Sequence, residues 1–477
     1  MKHSLGAGTS PDWPALQRAI AGDVVLADSP DFVRTWKPLN ARFARVRPQA
    51  VVLTRTPDDV REAIHAARHW GLVTAIRSGG HSLAGESSSR GVVIDVTPMD
   101  DVSFRTGQVV VGAGTRLGDL YAQLSRHALV IPAGSCPTVG IAGLALGGGL
   151  GFLGRMYGLT SDHLIAAQIV LADGRIVDCD GQHHGELLWA LRGGGAGNFG
   201  VVTHLSFRSR PAPVMTIFRL FFGYEQAAAA IRGWQGWAPT APDELAASLV
   251  LASTGELDRP PSVEVFGAMV GTQSDTEILL GEFVDRVGSD PASAVTRSMS
   301  FIEALRYLGS VDRSAGDRVE APTGGDTKTA DWAFAKSEFF RRPLPADGIT
   351  ALLDRYARDR ALGQYRELDF SPWGGAYSRA LPGATAFVHR DQLFMLKHAV
   401  GLRSDGSAAA RRAAHRWVTR SWAAVHRWGS GGVFRNFPDP DLPSPAAAYY
   451  AGNLERLRQV KARYDPDEFF RSELGSR

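Results

Sequence analysis

The chain has 477 residues, 44% of them apolar, and its 52 basic and 49 acidic residues leave a net charge of +3. That length exceeds the roughly 100 to 200 residues of one domain, so two lobes are expected, with apolar residues enough to fill both cores. The charge balance and the lack of any Lys/Arg block exclude nucleic-acid and membrane-surface binding as leading readings and point to a small-molecule substrate; only Cys136 and Cys179 are present, too few for a disulfide scaffold.

At the start, Met1 to Trp13 holds no apolar stretch of signal-peptide length, and no later run approaches the ~20 apolar residues of a membrane span. A cytoplasmic, soluble monomer or homodimer is expected. Thr56-Pro57-Asp58-Asp59 has the cap, first-turn proline and acidic start of a helix that Gly71 stops. Val73 to Arg77, Val92 to Val96 and Gln108 to Gly112 read as strands, followed by a helix capped by Thr115 and running to about His127. After the glycine-rich stretch Gly134 to Gly158, Leu164 to Leu171 and Ile176 to Cys179 flank Ala172-Asp173-Gly174-Arg175, a hairpin pattern. A short helix over Glu186 to Arg192 and a strand over Val201 to Arg208 follow, and Pro211-Ala212-Pro213 punctuates the chain.

Beyond that boundary, Phe218 to Phe222, Leu245 to Leu251, Ser262 to Val270, Tyr365 to Phe370, Thr385 to His389 and Leu393 to Val400 read as strands. Helices are expected near 274–287 and 346–361, then over Ala408 to His426 and Ala446 to Tyr464, with Gly431 to Pro445 irregular between the last two. The Gly/Asp/Thr cluster at 323–329 reads as a mobile loop. The expected architecture is α+β in two lobes, with the C-terminal segment returning to the first.

Two stretches match G-x-G-x-x-G, Gly149 to Gly154 and Gly195 to Gly200. A nicotinamide-binding Rossmann turn requires a strand before, a helix after and an acidic residue about 20 positions on. The first runs into another breaker, Gly158, and the second directly into Val201-Val202-Thr203, so neither qualifies. The glycines instead suit backbone that approaches a flat or phosphorylated ligand and offers bare N–H groups. Arg77-Ser78-Gly79-Gly80-His81-Ser82 has that composition, and Cys136 sits in a loop between a small residue and a proline, where an inert core thiol is out of place.

Those two segments, Arg77 to Ser82 and Gly134-Ser135-Cys136-Pro137-Thr138-Val139-Gly140-Ile141-Ala142-Gly143, closely resemble the flavin-attachment motifs of the berberine bridge enzyme family, within the vanillyl-alcohol oxidase/p-cresol methylhydroxylase superfamily. Leu188 to Thr203, Ser371 to Ala376, and Asn436-Phe437-Pro438-Asp439 with Tyr449 to Asn453 and Tyr464 to Pro466 agree as well. The resemblance implies an FAD-binding domain of the p-cresol methylhydroxylase type over 40–211, a substrate-binding domain over 212–425 with an antiparallel sheet facing the ring, and a segment over 426–477 that returns to the FAD domain. It implies FAD on two covalent links, from His81 to the 8α-methyl carbon and from Cys136 to C6. Arg77, Ser78, Gly79, Gly80 and Ser82 would wrap the pyrophosphate; Gly134, Val139, Gly140, Gly143, Gly147, Val202 and Asn436 complete the cofactor set. No metal is expected. Two electron-withdrawing links raise the reduction potential of the ring and favour hydride abstraction. The implied activity is oxidation of a bulky, aromatic or polycyclic metabolite with O2 reoxidising the flavin; the alternatives are a sugar or oligosaccharide oxidase and a flavin-containing protein that sequesters a drug or metabolite with little turnover.

The sequence departs from the family where a proton must be taken. Microbial members commonly carry tyrosines where this chain has Phe437 and Leu150, and the position of the plant glutamate is matched to Arg379. All three familiar bases are therefore absent, while general-base help is worth about 10² to 10⁴ in rate. Tyr377, expected on a substrate-facing strand, is the first candidate replacement and His389 the second; the competing readings are an aromatic pocket wall and a structural hydrogen-bonder. Leu150, Trp373, Arg379 and Phe437 are the expected substrate pocket, with Arg379 either holding an acidic group or pairing at the rim.

Overall fold

The computed structural model describes residues 10–310, 332–403 and 405–475, so the 323–329 cluster lies outside the described residues. The chain opens with a four-stranded sheet: β1 (Asp23–Leu26), β2 (Ala50–Leu53), β3 (Thr74–Arg77) and β4 (Val92–Asp95), in the order β1-β2-β4-β3, parallel except for β1. The connection from β2 to β3 is the helix Pro57–His69, which begins at the expected cap and closes it into a capping box: the Thr56 hydroxyl accepts from Asp59 N at 3.1 Å and the Asp59 carboxylate accepts from Thr56 N at 3.3 Å.

The chain then lays down β5 (Val102–Arg105), β6 (Gln108–Gly112), the short β7 (Leu129–Val130), β8 (Leu164–Val170), β9 (Ile176–Cys179), β10 (Val201–Arg208) and the short β11 (Arg210–Pro211). The order β5-β6-β10-β8-β9 forms an antiparallel sheet, and β7 pairs with β11. Between β6 and β7 the helix is Leu117–Arg126, and Thr115 does not cap it: its hydroxyl is buried with no partner. The first helical N–H groups find other acceptors, since Leu117 N donates to the Val139 carbonyl and Gly118 N to the Pro137 carbonyl, both at 2.9 Å. The loop that follows β7, carrying Cys136, is thereby stitched to the start of this helix.

The second lobe is one seven-stranded antiparallel sheet of β12 (Val214–Phe222), β13 (Leu245–Ser253), β14 (Ser262–Met269), β15 (Ser293–Ser300), β16 (Trp332–Phe340), β17 (Gln364–Pro372) and β18 (Phe394–Leu402), ordered β15-β12-β14-β13-β17-β18-β16. Side chains alternate between its faces. On one face the rows Leu245/Ala247/Leu249, Val263/Val265, Leu368/Phe370 and Phe394/Leu396 pack on the helices Ala227–Trp237, Ala346–Ala357 and Ala408–Val425 in one core. Burying one such Leu or Phe is worth roughly 1.5–3 kcal/mol, so a slip of one residue in any strand is strongly disfavoured. The opposite face, with Ala246, Ser248, Phe266, Asp369, Ser371 and Lys397, turns to a cavity between the lobes.

The expected two-lobed α+β architecture is the observed one, with local differences. β15 and β16 have no clear counterpart among the predicted strands: β15 is an edge of small and polar residues, and β16 carries Lys336 and Glu338 in its middle. Thr385 to His389 is not a strand, because Ala386 N and Phe387 N donate to the carbonyls of Trp189 and Arg192 rather than to a neighbouring strand. The expected helix over Ala446 to Tyr464 is broken into Pro445–Tyr450 and Leu454–Tyr464 by Ala451, whose φ is 38°. A third cluster of buried residues, Leu159, Phe339, Trp373, Tyr377, Phe387, Met395 and Phe434, lies where the lobes meet. Among the described residues no helix is long and apolar enough to cross a membrane.

Candidate active site

A cavity of about 1130 Å³ runs between the lobes, above the roughly 300–1,000 Å³ of an ordinary ligand pocket and large enough for a cofactor with a substrate. One wall is the loop after β3. Gly79 packs so closely on the next loop that a Cβ there would lie 2.2 Å from Gly140 N, which explains the glycines at both positions. Ser78, Gly79, Gly80, His81 and Ser82 all line the cavity. Arg77 does not: its guanidinium is buried on the far side, donating to the carbonyls of Thr35 at 2.8 Å, Trp36 at 3.2 Å and Ser87, and it holds the loop rather than a phosphate. The strand alternation of β3 sends it there.

Gly134, Val139, Gly140, Gly143, Gly147 and Val202 line the middle of the cavity with Cys136. A Cβ on Gly143 would meet no atom within 4 Å, so any side chain there would project into the space a ligand needs. Asn436 fixes this wall from the C-terminal segment: its Oδ1 accepts from Gly149 N at 2.9 Å and its Nδ2 donates to the carbonyls of Gly143 at 3.1 Å and Leu144 at 3.2 Å. Gly147 is required beside it, since a Cβ would come within 2.4 Å of Asn436 Nδ2. His81 and Cys136, from different loops, meet at one hydroxyl: Thr138 Oγ1 lies 3.0 Å from His81 Nε2 and 3.5 Å from Cys136 Sγ. Burial lowers the His81 pKa, a hydrogen bond with the Thr138 backbone opposes this, and Arg116 adds to the lowering, which favours the neutral imidazole. Cys136 is an exposed free thiol, whereas Cys179 is buried and burial pushes its thiol up to about 12. Bare backbone along one wall and a paired imidazole and thiol facing it fit a flavin held at two points.

The far end is partly apolar, with Leu150, Phe152, Phe266, Phe434 and Phe437. Tyr377 lines it, but from the short helix Ala376–Arg379 rather than from a strand, because Gly374 and Gly375 turn the chain with φ of 83° and 53°. Its hydroxyl donates to the Gly151 carbonyl at 3.2 Å, and burial pushes the phenol up to about 12. Trp373 is corrected from pocket residue to support: it is fully buried behind Tyr377, ring centroids 4.5 Å apart, with Nε1 donating to the His389 carbonyl. His389 does not line the cavity either; it is buried against Phe339, its Nε2 pairs with the Tyr449 carbonyl at 3.1 Å, and burial pushes it down to about 4. Arg379 is outside the cavity, ion-paired to Asp243 and donating to the Met156 carbonyl at 3.0 Å.

Sequence reasoning passed over the ionisable groups that do face this end. Asp369 of β17 and Lys397 of β18 are directly paired across the ladder, and both line the cavity. Lys397 Nζ lies 3.0 Å from a carboxylate oxygen of each of Asp369 and Glu367, and 5.2 Å above the Phe437 ring. Ser371 Oγ donates to Asp369 at 3.3 Å. The period-two run Tyr365, Glu367, Asp369, Ser371 was the available signal, a polar face on an otherwise buried strand. At the opposite end, Glu86, Arg435 and Glu473 line the cavity and pair with one another, Arg435 lying 2.8 Å from Glu86 and 3.6 Å from Glu473. Among the described residues no group of three or more His, Cys, Asp or Glu could hold a metal ion.

Comparison with known proteins places these features in a family. Residues 48–180 match the model of an FAD binding domain, and residues 433–475 match the model described as berberine and berberine like. The FAD-linked oxidoreductase YvdP of Bacillus subtilis is 30% identical over 460 residues, 95% of this chain and 97% of its own. Tetrahydroberberine oxidase of Berberis wilsoniae is 28% identical, over 91% of this chain and 86% of its own. The solved structure of a berberine-bridge-enzyme-like protein from Physcomitrella patens superposes with a TM-score of 0.85 at 26% identity, covering 98% of this chain and all of that one. With a glycine-lined cavity between an α+β lobe and an antiparallel sheet, and a relative of this identity matched end to end, the chain belongs to the berberine-bridge-enzyme-like family of FAD-linked oxidoreductases.

Proposed function

We propose that the protein oxidises a bulky, aromatic or polycyclic small molecule, seated between the flavin ring and the polar sheet face, on an FAD linked to both His81 and Cys136, with O2 as the final acceptor. The observation that carries the reading is the meeting of His81 and Cys136 at Thr138 on the wall of a cavity that continues to Leu150, Phe434 and Phe437. When bound, the flavin supplies a two-electron acceptor for hydride. Asn436 and the glycines it pins keep the cofactor wall in place, and Leu150, Phe152 and Phe437 exclude water from the reacting carbon. Asp369 accepts the substrate's O–H or N–H proton, held for that task by the Lys397 ammonium and the Ser371 hydroxyl. Glu367 lies on the other side of Lys397, 3.0 Å from the same Nζ, so the Lys397 side chain stays anchored when Asp369 takes the proton. Tyr377 frames the pocket.

Asp369, Ser371, Lys397 and Ser248 also favour a second reading, a hydroxyl-rich sugar or oligosaccharide as substrate. The same groups support turnover over sequestration, since they provide the proton acceptor that the absent family bases do not. Anaerobic mixing with aromatic alcohols, polycyclic alkaloids and oligosaccharides separates the readings: bleaching of the flavin band by the first two supports the proposal. Bleaching by oligosaccharides alone supports the second reading, and tight binding with no bleaching by any compound would sink both.

A further inference from the structure

Attachment at two points poses a geometric problem that one residue answers. His81 follows β3 and Cys136 follows β7, so no local turn brings them together. The two loops meet at the Gly79–Gly140 backbone contact, and the Cys136 loop is tied in turn to the helix Leu117–Arg126 through the Val139 and Pro137 carbonyls, which leaves the two reactive side chains themselves to be positioned. Across the remaining gap Thr138 Oγ1 touches both side chains, at 3.0 Å from His81 Nε2 and 3.5 Å from Cys136 Sγ. Thr138 is exposed and does not itself line the cavity. Neither the core nor the cofactor surface accounts for its hydroxyl.

We propose that Thr138 is the positioning residue for double flavin attachment, its hydroxyl accepting from His81 Nε2–H while donating to Cys136 Sγ; this rests on the attachment reading above. The first hydrogen bond fixes the imidazole tautomer and leaves Nδ1 with the lone pair that reacts, because the proton on one ring nitrogen is set by the partner of the other. The second stabilises the thiolate, which is the nucleophilic form of cysteine. Each link forms one bond from a protein nitrogen or sulfur to a flavin carbon and breaks one C–H bond together with one N–H or S–H bond. Two electrons pass to the ring and on to O2, which leaves with the two protons as H2O2. The hydroxyl takes no part in that stoichiometry. It sets where the two nucleophiles stand and which protonation state they hold.

The experiment compares the protein as purified with Thr138→Val, which keeps the shape and removes the hydroxyl, and Thr138→Ser, which restores it. Flavin released by acid precipitation is measured, and flavopeptides from a digest are assigned to His81 or Cys136 by mass spectrometry. The unmutated protein is read first: if it releases all its flavin, the attachment reading falls and this one with it. Given retained flavin, Thr138→Val should raise the fraction lacking one or both links by about tenfold or more, the effect of losing a hydrogen bond to a charged or charging group, and Thr138→Ser should return it to the starting value. Thr138→Ala tests the same loss in a smaller side chain, and circular dichroism checks folding for each variant. Wild-type proportions of both links in Thr138→Val and Thr138→Ala, or a Thr138→Ser protein as deficient as Thr138→Val, would overturn the proposal.

Discussion

Replacing Tyr377 by Phe removes a hydroxyl that donates to the Gly151 carbonyl at 3.2 Å and receives the Gly151 N–H at 3.4 Å, while the ring keeps its stack on Trp373. The loss of these two neutral hydrogen bonds, each worth about 0.5–1.5 kcal/mol, costs about 1–3 kcal/mol of stability. Its effect on rate follows from ionisation: burial pushes the phenol up to about 12, so at pH 8 it is about four units from its midpoint and would need about 5 kcal/mol to act as the ionised base. Flavin reduction by Tyr377→Phe should therefore stay within about threefold of the unmutated protein. Asp369→Asn should behave differently. The amide keeps the size of the carboxylate, and Lys397 retains Glu367 at 3.0 Å, so the wall persists while the proton acceptor is lost. A fall of about 10² to 10⁴ in the reduction rate is expected, equivalent to about 3–5 kcal/mol of barrier. Rapid anaerobic mixing, monitored at the flavin band across pH, measures both variants against the best substrate found. If Tyr377→Phe loses about 10²-fold or more while Asp369→Asn stays within about threefold, the assignment of the proton acceptor to Asp369 is wrong and the phenol takes its place.

The proposed double link makes a prediction needing no substrate: acid-precipitated protein should stay yellow, His81→Ala and Cys136→Ala should each keep one link, and only the double variant should release its flavin to the supernatant. NADH and NADPH should fail to bleach the flavin at a useful rate, because Gly149 to Gly154 forms a cavity wall and Gly195 to Gly200 runs straight into β10; rapid bleaching by either would count against this. Acid should weaken the fold through two buried histidines. His389 and His398 are pushed down by burial to about 4 and about 3 from an ordinary 6.5, with Lys336 adding to the shift of His398. Their folded values are depressed, so the stability they contribute is present above pH 6.5 and is lost as pH falls from there towards 4, when the unfolded chain takes up protons that the folded one does not. The loss from His389 is on the order of 3 kcal/mol. Thermal unfolding from pH 7.5 to 5 should show a steep fall that His389→Gln makes shallower, and equal slopes for the two proteins would refute the assignment.

What the sequence determined by itself was the part of the molecule written in local chemistry. The helix cap at Thr56, the alternation of β10, and the glycines around His81 and Cys136 all depend on residues near one another in the chain, so spacing and residue type were enough to mark them. Family resemblance in those same motifs pointed to a flavin. The substrate end was decided only by tertiary structure. Trp373, Tyr377 and Arg379 are close neighbours in sequence, yet the positive-φ turn at Gly374 and Gly375 separates them into a support, a pocket wall and an exposed ion pair. Backbone groups of Ala386 and Phe387 are taken by Trp189 and Arg192 from the other lobe, which removes an expected strand and leaves His389 facing a carbonyl. Asp369 and Lys397 become one unit because β17 and β18 pair in that register, and a register between distant strands is fixed by which rows of side chains the whole sheet buries against its helices.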